Sequence, residues 1–435
     1  MFDILILIVA LILFSVLAFK RVSAIILGPV ISIFVIVAAR LPMFESMLGP
    51  YMQAAAGYVE KFFLVFFVGA VFGAIMDESR AAESIARSLV RITRGRWAAP
   101  VVMIITGILT YGGVSGFVVF FAMYPIALQL FKNTNLSRRL IPAAISAGAW
   151  TWSMSGPGSP AIQNIIPMRY LGTSSTAALA PAIVGALGQL ILIFLWLEYR
   201  GKSLRKKGCD FNDTSLPPLK ELDIVPGSEA APLPNAWIAS IPVILILVTF
   251  NILKLPVEAA VTIGIVSALA LLWKQKNGAS EWISTLNRGA VNSATAILNT
   301  AIVVGFAGVV KVTAGFDKVI GGLKNLTLSP MAFVAITTAI AAGVAGSASG
   351  GLGIVYEALK DTYVSMGINL EYVHRISVIA SGTLDTLPYQ GAQITLLGIC
   401  GLTHKEGYFD IAITQIIIPI IVLAALVIPM ASLGL

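Results

Sequence analysis

The sequence predicts an all-α polytopic membrane protein built from two inverted repeats, with about ten transmembrane helices, two re-entrant hairpins and two interrupted helices. Three observations lead there. Of 435 residues, 57% are apolar and only 11% charged, against about 25% charged in soluble domains. The apolar segments run nearly end to end, in lengths suited to a bilayer. The two halves of the chain also present the same order of segments from opposite starting sides.

Full spans fall at 2–19, 22–39, 62–76, 140–167, 178–197, 236–253, 257–273, 289–310, 376–402 and 408–430. A spanning helix needs roughly 20 mostly apolar residues. The first segment lacks the basic start and small-residue cleavage site of a secretory signal, so it reads as a span. Stretches 98–131 and 330–356 are broken midway by glycine and serine, and each reads as a hairpin that enters and leaves on one side. Residues 77–94 alternate small apolar with charged side chains and read as an interfacial helix, with 311–326 in the matching place later. The proline-containing, charged stretch 198–235 reads as a flexible cytoplasmic linker. The expected units are therefore 1–197, the first repeat; 198–235, the linker; and 236–435, the second repeat.

Charge tests this layout. With the N-terminus outside, the inside holds Lys20, Arg21, the arginines from Arg80 to Arg96, Lys132, Arg138 and Arg139. It also holds the basic residues from Arg200 to Lys220, Lys274, Lys276, Arg288 and Lys405. That is 20 of the 29 basic residues, with 9 left outside, the excess that cytoplasmic loops carry. Both termini are then periplasmic, in a bacterial inner membrane. Reading either hairpin as a full span would reverse every later loop. The net charge of +8 has this origin, and no nucleic-acid partner is expected. Cys209 and Cys400 make no disulfide or metal spacing. His374 and His404 fall in predicted loops, too few for a histidine-rich metal site. No cofactor, bound metal or enzymatic activity is expected.

GGVSG at 112–116 matches GSASGG at 346–351, and Arg139, opening the first interrupted span, matches Arg375, opening the second. The offset stays at about 235 residues, and five spans precede the second half, so the repeats are inverted, as in carriers that alternate between mirror-related states. Irregular backbone is tolerated at membrane depth only where it is buried in protein or lines a watery cavity. Four places qualify: the two hairpin tips, SMSGPGSP at 153–160 and DTLPYQG at 385–391. Broken helices aim unpaired N-terminal amides, with partial positive charge, at one spot. Such a spot can hold a small organic anion without a buried lysine or arginine, and no basic residue lies near the centre of any expected span.

The candidate substrate contacts follow from these breaks. Gly113, Ser115 and Gly116 sit at the first tip, and Ser347, Ser349, Gly350 and Gly351 at the second. Small residues also permit close helix packing, but two clusters at equivalent positions favour ligand-facing tips. Ser153, Ser155 and Gly156 occupy the first break and Thr386 the second. Gln163, Asn164, Tyr389, Gln390 and Gln393 follow the breaks, where they either bond a hydroxylated substrate or satisfy backbone. Asp385 is the sharpest signal, because a carboxylate near mid-membrane costs about 2.5–3.5 kcal/mol on insertion scales. It reads as a proton-coupling carboxylate, a substrate-hydroxyl acceptor or a structural bond across the break. It has no acidic counterpart in the first half, where Thr151 or a neighbour falls, and this asymmetry suits coupling. Trp150 and Trp152 read as packing.

The runs SRRLIP (137–142), AGAWTWSMSGPGSPAIQNIIP (147–167), GSASGGLGI (346–354) and TLDTLPYQGAQITLLGICGLTH (383–404) resemble the gluconate permease family. Within it they are most similar to permeases for short hydroxy acids such as 3-hydroxybutyrate. The resemblance covers most of the chain. It implies a proton-coupled symporter of the ion-transporter superfamily, a homodimer in which a transport domain moves as an elevator against a fixed scaffold. The family pattern carries over to Ser115, Ser155, Gly156, Ser349, Gly350, Asp385, Thr386 and Pro388. The chain departs from it at Tyr389-Gln390, where many relatives have His-Asn, and at Trp152-Ser153, where phenylalanine and threonine are common.

The expected function is proton-coupled symport of a small hydroxylated monocarboxylate, with Asp385 carrying the proton. Sodium coupling on the same fold is the nearest alternative, since serine-rich tips and freed carbonyls also suit that ion. An intramembrane serine protease is remote: Gly113–Gly116 fits Gly-x-Ser-Gly, but a serine nucleophile needs a base and the histidines are placed in loops. A channel would not need inverted repeats with sealed hairpins.

Overall fold

The computed structural model describes residues 2–20, 22–111, 116–218, 233–253, 255–276, 278–323 and 325–434. The described residues are helical, joined by turns and short irregular segments. Six of their helices are long and apolar enough to cross a bilayer. These are α1 (Phe2–Phe19), α3 (Met43–Glu78), α10 (Leu179–Lys206), the segment Glu258–Gln275 that contains most of α12 (Val257–Leu272), α13 (Ala279–Lys311) and α19 (His404–Ser432). The other expected spans are shorter or divided. α2 (Ala24–Ala38) and α11 (Ala236–Asn251) are short apolar helices. The first interrupted span splits into α7 (Ile141–Trp150), the single turn α8 (Trp152–Ser155) and α9 (Ile162–Leu171). The second splits into α17 (Leu370–Leu384) and α18 (Gly391–Ile399). The prolines and glycines of 156–160 and 385–391 account for the gaps between α8 and α9 and between α17 and α18, while the turn between α7 and α8 falls at Thr151, whose φ of −117° and ψ of −104° leave the helical region.

The stretches expected as hairpins are also pairs of helices. α5 (Ala98–Tyr111) and α6 (Gly116–Asn133) flank residues 112–115. α15 (Pro330–Ala345) and α16 (Ala348–Ser365) meet at Gly346, whose φ of 60° ends α15 in a left-handed cap. α4 (Ala81–Thr93) is amphipathic and lies at 116° to α5. It follows a left-handed Arg80 with φ of 58°, so the charged segment after α3 is a separate helix. α14 (Ala314–Leu323) occupies the matching position after α13.

At the centre, α3 and α13 make the most extensive contact of any helix pair. They run 36 and 33 residues, so at 1.5 Å per residue each is about 50 Å long, well beyond a hydrocarbon core of about 30 Å. Both exceed the segments expected at 62–76 and 289–310, and Lys61 and Arg288 therefore lie inside continuous helices. Small residues let the two backbones approach: a Cβ on Gly289 would sit 2.7 Å from Val71 Cα, and one on Gly308 2.5 Å from Pro50 O. α2, α6 and α12 pack around this pair, and α15–α17 pack with α9 from the other half. Glu78 binds both Lys276 and Arg288, tying the end of α3 to α13. Arg200 pairs with Asp410 at 2.9 Å between α10 and α19.

The segment expected as a flexible linker at 198–235 begins as helix, since α10 continues through Lys206. Beyond it, Arg138 donates to Phe211 O and Pro217 O, and Arg139 pairs with Asp213 at 3.2 Å. The Ser215 hydroxyl and amide, with Arg139, hold the Asp213 carboxyl below the usual carboxylate range. Residues 219–232 lie outside the described residues. The histidines are not in loops. His374 belongs to α17 and His404 opens α19, and both are buried.

Gly289→Val should force α3 and α13 apart and lower the apparent melting temperature in detergent, at a cost of about 1–3 kcal/mol. Gly353→Ala, where an added Cβ meets nothing within 4 Å, should leave it unchanged.

Candidate functional site

The helix breaks surround a cavity of about 680 Å³, within the range of small-molecule sites. Its walls come from α3 and α13, from the start of α6 and of α9, and from the junctions of α15 with α16 and of α17 with α18. Lys61 and Lys311 line it, and both side chains are exposed. Phe62, Phe117, Trp150 and Phe306 supply apolar wall.

The polar face centres on the start of α16. Ser347 caps this helix, its hydroxyl accepting from the Gly350 amide at 3.2 Å and lying 3.2 Å from Ser349 Oγ. The Ala348 amide donates to Asp385 Oδ2 at 3.1 Å, and the Thr386 hydroxyl donates to Asp385 Oδ1 at 3.2 Å. The Ser349 amide, second in the helix, has no protein partner among the described residues. The positive end of α16 thus holds a protein carboxylate beside an amide of a cavity-lining residue.

Of the residues singled out from sequence, Gly116, Gln163, Ser347, Ser349, Gly350, Asp385, Thr386, Tyr389 and Gln390 line this cavity. Gly113 and Ser115 lie outside the described residues. The remainder point elsewhere. Ser153 donates to Gly148 O at 2.5 Å and Ser155 to Thr151 O at 3.0 Å, bonding back to the preceding turn. Gly156 is buried against the Tyr111 ring, and Gly351 against Ala342, where a Cβ would meet backbone at 2.3 Å. Gln393 donates to Gln415 Oε1 at 2.8 Å, away from the cavity. Tyr389 lines the wall, but its hydroxyl donates to Gly343 O at 2.5 Å. The Gln390 side chain caps α18 by accepting from the Gln393 amide at 2.7 Å. Trp150 lines the cavity and packs on Phe120 with ring centroids 4.6 Å apart.

Sequence reasoning missed the group that fixes the first break. Arg375 is fully buried, with no carboxylate partner among the described residues. Its guanidinium donates to Ser155 O (2.5 Å), Ala177 O (3.0 and 3.2 Å), Ser175 O (3.3 Å) and Asn164 Oδ1 (3.4 Å). Asn164 in turn donates to Ser159 O and Ser175 O, which fixes its amide orientation. His374 Nε2 therefore donates to Asn164 Oδ1 at 2.9 Å, and its Nδ1 accepts from Thr173 Oγ at 2.7 Å. His404 Nε2 donates to Pro388 O at 2.7 Å in the second break, where Tyr408 donates to Thr386 O at 3.0 Å. His404 thus holds backbone directly, and His374 acts through the Asn164 side chain that bonds Ser159 O and Ser175 O. Hydropathy could not reveal this, because Arg139, the equivalent of Arg375, faces the exposed Asp213 loop. Among the described residues no group of three or more His, Cys, Asp or Glu side chains is placed to hold a metal ion.

Over 92% of its length the chain is 33% identical to the "Uncharacterized transporter YxjC" of Bacillus subtilis (strain 168), covering 93% of that protein. No family model matches the sequence. Among solved structures, the YdaH transporter of Alcanivorax borkumensis aligns with 90% of this chain and 89% of its own, at TM-score 0.44 and 14% identity.

Arg375→Leu would leave the Ser155 and Ala177 carbonyls without their side-chain donor, a loss of about 3 kcal/mol or more. The expected outcome is a collapse of the monodisperse peak in detergent chromatography. Asp385→Asn keeps an acceptor oxygen for the Ala348 amide and should elute as wild type.

Proposed function

This chain belongs to the transporter family of Bacillus subtilis YxjC, and we propose that it is a proton-coupled symporter for a small hydroxylated monocarboxylate. As a multi-pass membrane protein with basic loops biased to one side, it is assigned to a bacterial inner membrane with both termini periplasmic. Residues 1–197 and 236–435 act as inverted repeats joined by 198–235. Lys61 and Lys311 then lie toward the outer face, where two ammonium groups at a cavity mouth attract an anion from solution.

One observation carries the coupling. The Asp385 carboxylate accepts from Ala348 N at the start of α16, beside the unpartnered Ser349 amide. A substrate carboxylate seeks the same helix end, and two anions cannot share it without mutual repulsion. A proton taken from the outer side neutralises Asp385, which removes the repulsion and leaves its carbonyl a weaker acceptor, so the substrate carboxylate accepts from Ser349 and displaces Asp385 at Ala348. Gln163, Ser349 and Thr386 meet the substrate hydroxyls. When the site opens inward the acid leaves, Asp385 returns its proton to cytoplasmic water, and its carboxylate retakes the Ala348 amide. One proton crosses with each carboxylate. The helices that carry the breaks, α5–α9 and α15–α18, move as an elevator against α1–α3 and α11–α13, the scaffold and dimer surface. The resemblance to the gluconate permease family in the 137–167, 346–354 and 383–404 motifs supports this acid class.

Purified protein in proteoliposomes should accumulate labelled gluconate or 3-hydroxybutyrate under an inward pH gradient without sodium. Uptake that requires sodium at fixed pH would transfer the coupling to that ion. Asp385→Asn should retain exchange down a substrate gradient but lose pH-driven accumulation; accumulation at the wild-type level would rule out the coupling role.

A further inference from the structure

A second cavity of about 400 Å³ lies farther along the same helices. Each of α3, α6, α13 and α18 lines both cavities in sequence order. α3 faces the first through Tyr58 to Phe62 and the second through Ala70 to Asp77. On α13 the change comes between adjacent residues: Thr300 lines the first cavity and Asn299 the second.

The wall between them is thin and of two kinds. On one side the Thr300 and Thr395 hydroxyls are hydrogen-bonded, one lining each cavity. On the other, Phe66, Phe121 and Ile297 are buried together, with Phe117 packed on Phe66 at a centroid distance of 4.8 Å.

The cavities are also related by the repeat. The offset of about 235 residues carries the α3 wall of the first onto the α13 wall of the second, and the α13 wall of the first onto the α3 wall of the second. The α9 wall near Gln163 maps onto the α18 wall near Gly398. Their mouths differ in charge. The first has Lys61 and Lys311. The second has Asp77 and Arg288, and Arg288 shares Glu78 with Lys276. The second mouth therefore holds as much negative as positive charge. Inside it, Asn292, Thr295 and Asn299 form one polar stripe on α13, and the two asparagine amides have no protein partner among the described residues.

We infer that this second cavity is the inner vestibule of the permeation path, through which the hydroxylated carboxylate leaves. The Thr300–Thr395 contact and the Phe66–Phe117–Phe121 cluster form the barrier between the two cavities. Asn292 and Asn299 offer an amide group each to hydroxyl and carboxylate oxygens in transit. The balanced charge at the mouth lets the anion go, where the lysine-lined outer mouth draws it in. This rests on the carrier reading above.

The test uses the full chain with Cys209→Ser and Cys400→Ala, and a single cysteine at Thr295 or, for the first cavity, at Val304. A charged, membrane-impermeant thiol reagent is applied to right-side-out and inverted vesicles. The expected result is labelling of Thr295→Cys from the cytoplasmic face alone and of Val304→Cys from the opposite face alone, with gluconate or 3-hydroxybutyrate slowing the Thr295→Cys reaction. Adding Phe66→Leu or, should that variant fold poorly, Phe121→Leu should open Thr295→Cys to reagent from both faces. Labelling of Thr295→Cys from the outer face with the barrier intact, or no labelling from either face in vesicles that still transport, would overturn the inference. If neither acid is transported while the sidedness and the barrier effect hold, the vestibule stands and the substrate class falls.

Discussion

In a bilayer every backbone polar group must find a partner inside the protein, and the two helix breaks are where this chain meets that demand. At the first break the carbonyls of Ser155, Ser175 and Ala177 converge on Arg375, contributed by α17 from the other half. At the second, Pro388 O and Thr386 O are taken by His404 and Tyr408 of α19. Each break is therefore held by side chains from another helix, and the packing of α9 against α16 and α17 is a consequence of that exchange. A cation with no carboxylate partner is tolerable at Arg375 only because carbonyl dipoles surround it.

With those carbonyls satisfied, the start of α16 keeps one backbone donor, the Ser349 amide, without a protein partner among the described residues. There the protein supplies one anion of its own, Asp385, in contact with Ala348. In the proposed mechanism, competition between that carboxylate and a substrate carboxylate links a proton to an acid without any buried lysine in the site. Lys61 and Lys311 line the same cavity with exposed side chains, and in the proposed mechanism their charge acts at a distance.

Much of this was legible in the sequence. The glycine and serine clusters, the proline-bearing breaks and a lone aspartate within one of them mark the residues that surround the cavity, because backbone that leaves the helix needs those residue types. What stayed hidden has a physical reason in each case. Ser153 and Ser155 sit in a break, yet a hydroxyl can bond the carbonyl one turn back, and spacing does not reveal which way it turns. His374 and Arg375 read as a polar loop because hydropathy registers charge and not burial. Lys61 read as the edge of a span because nothing in the sequence ends the helix, and α3 continues past it in both directions. The helical start of the 198–235 segment is an extension of α10 beyond its apolar stretch, which composition cannot distinguish from a loop.

The central claim is that the substrate carboxylate and the Asp385 carboxylate exclude one another from the same helix end. Calorimetric binding of gluconate or 3-hydroxybutyrate in buffers of different ionisation enthalpy measures it directly. At pH values where Asp385 is ionised in the free protein, the wild type should take up about one proton per acid bound, and Asp385→Asn should take up none. Equal proton uptake by the two proteins, or none by the wild type that binds the acid, would contradict the account.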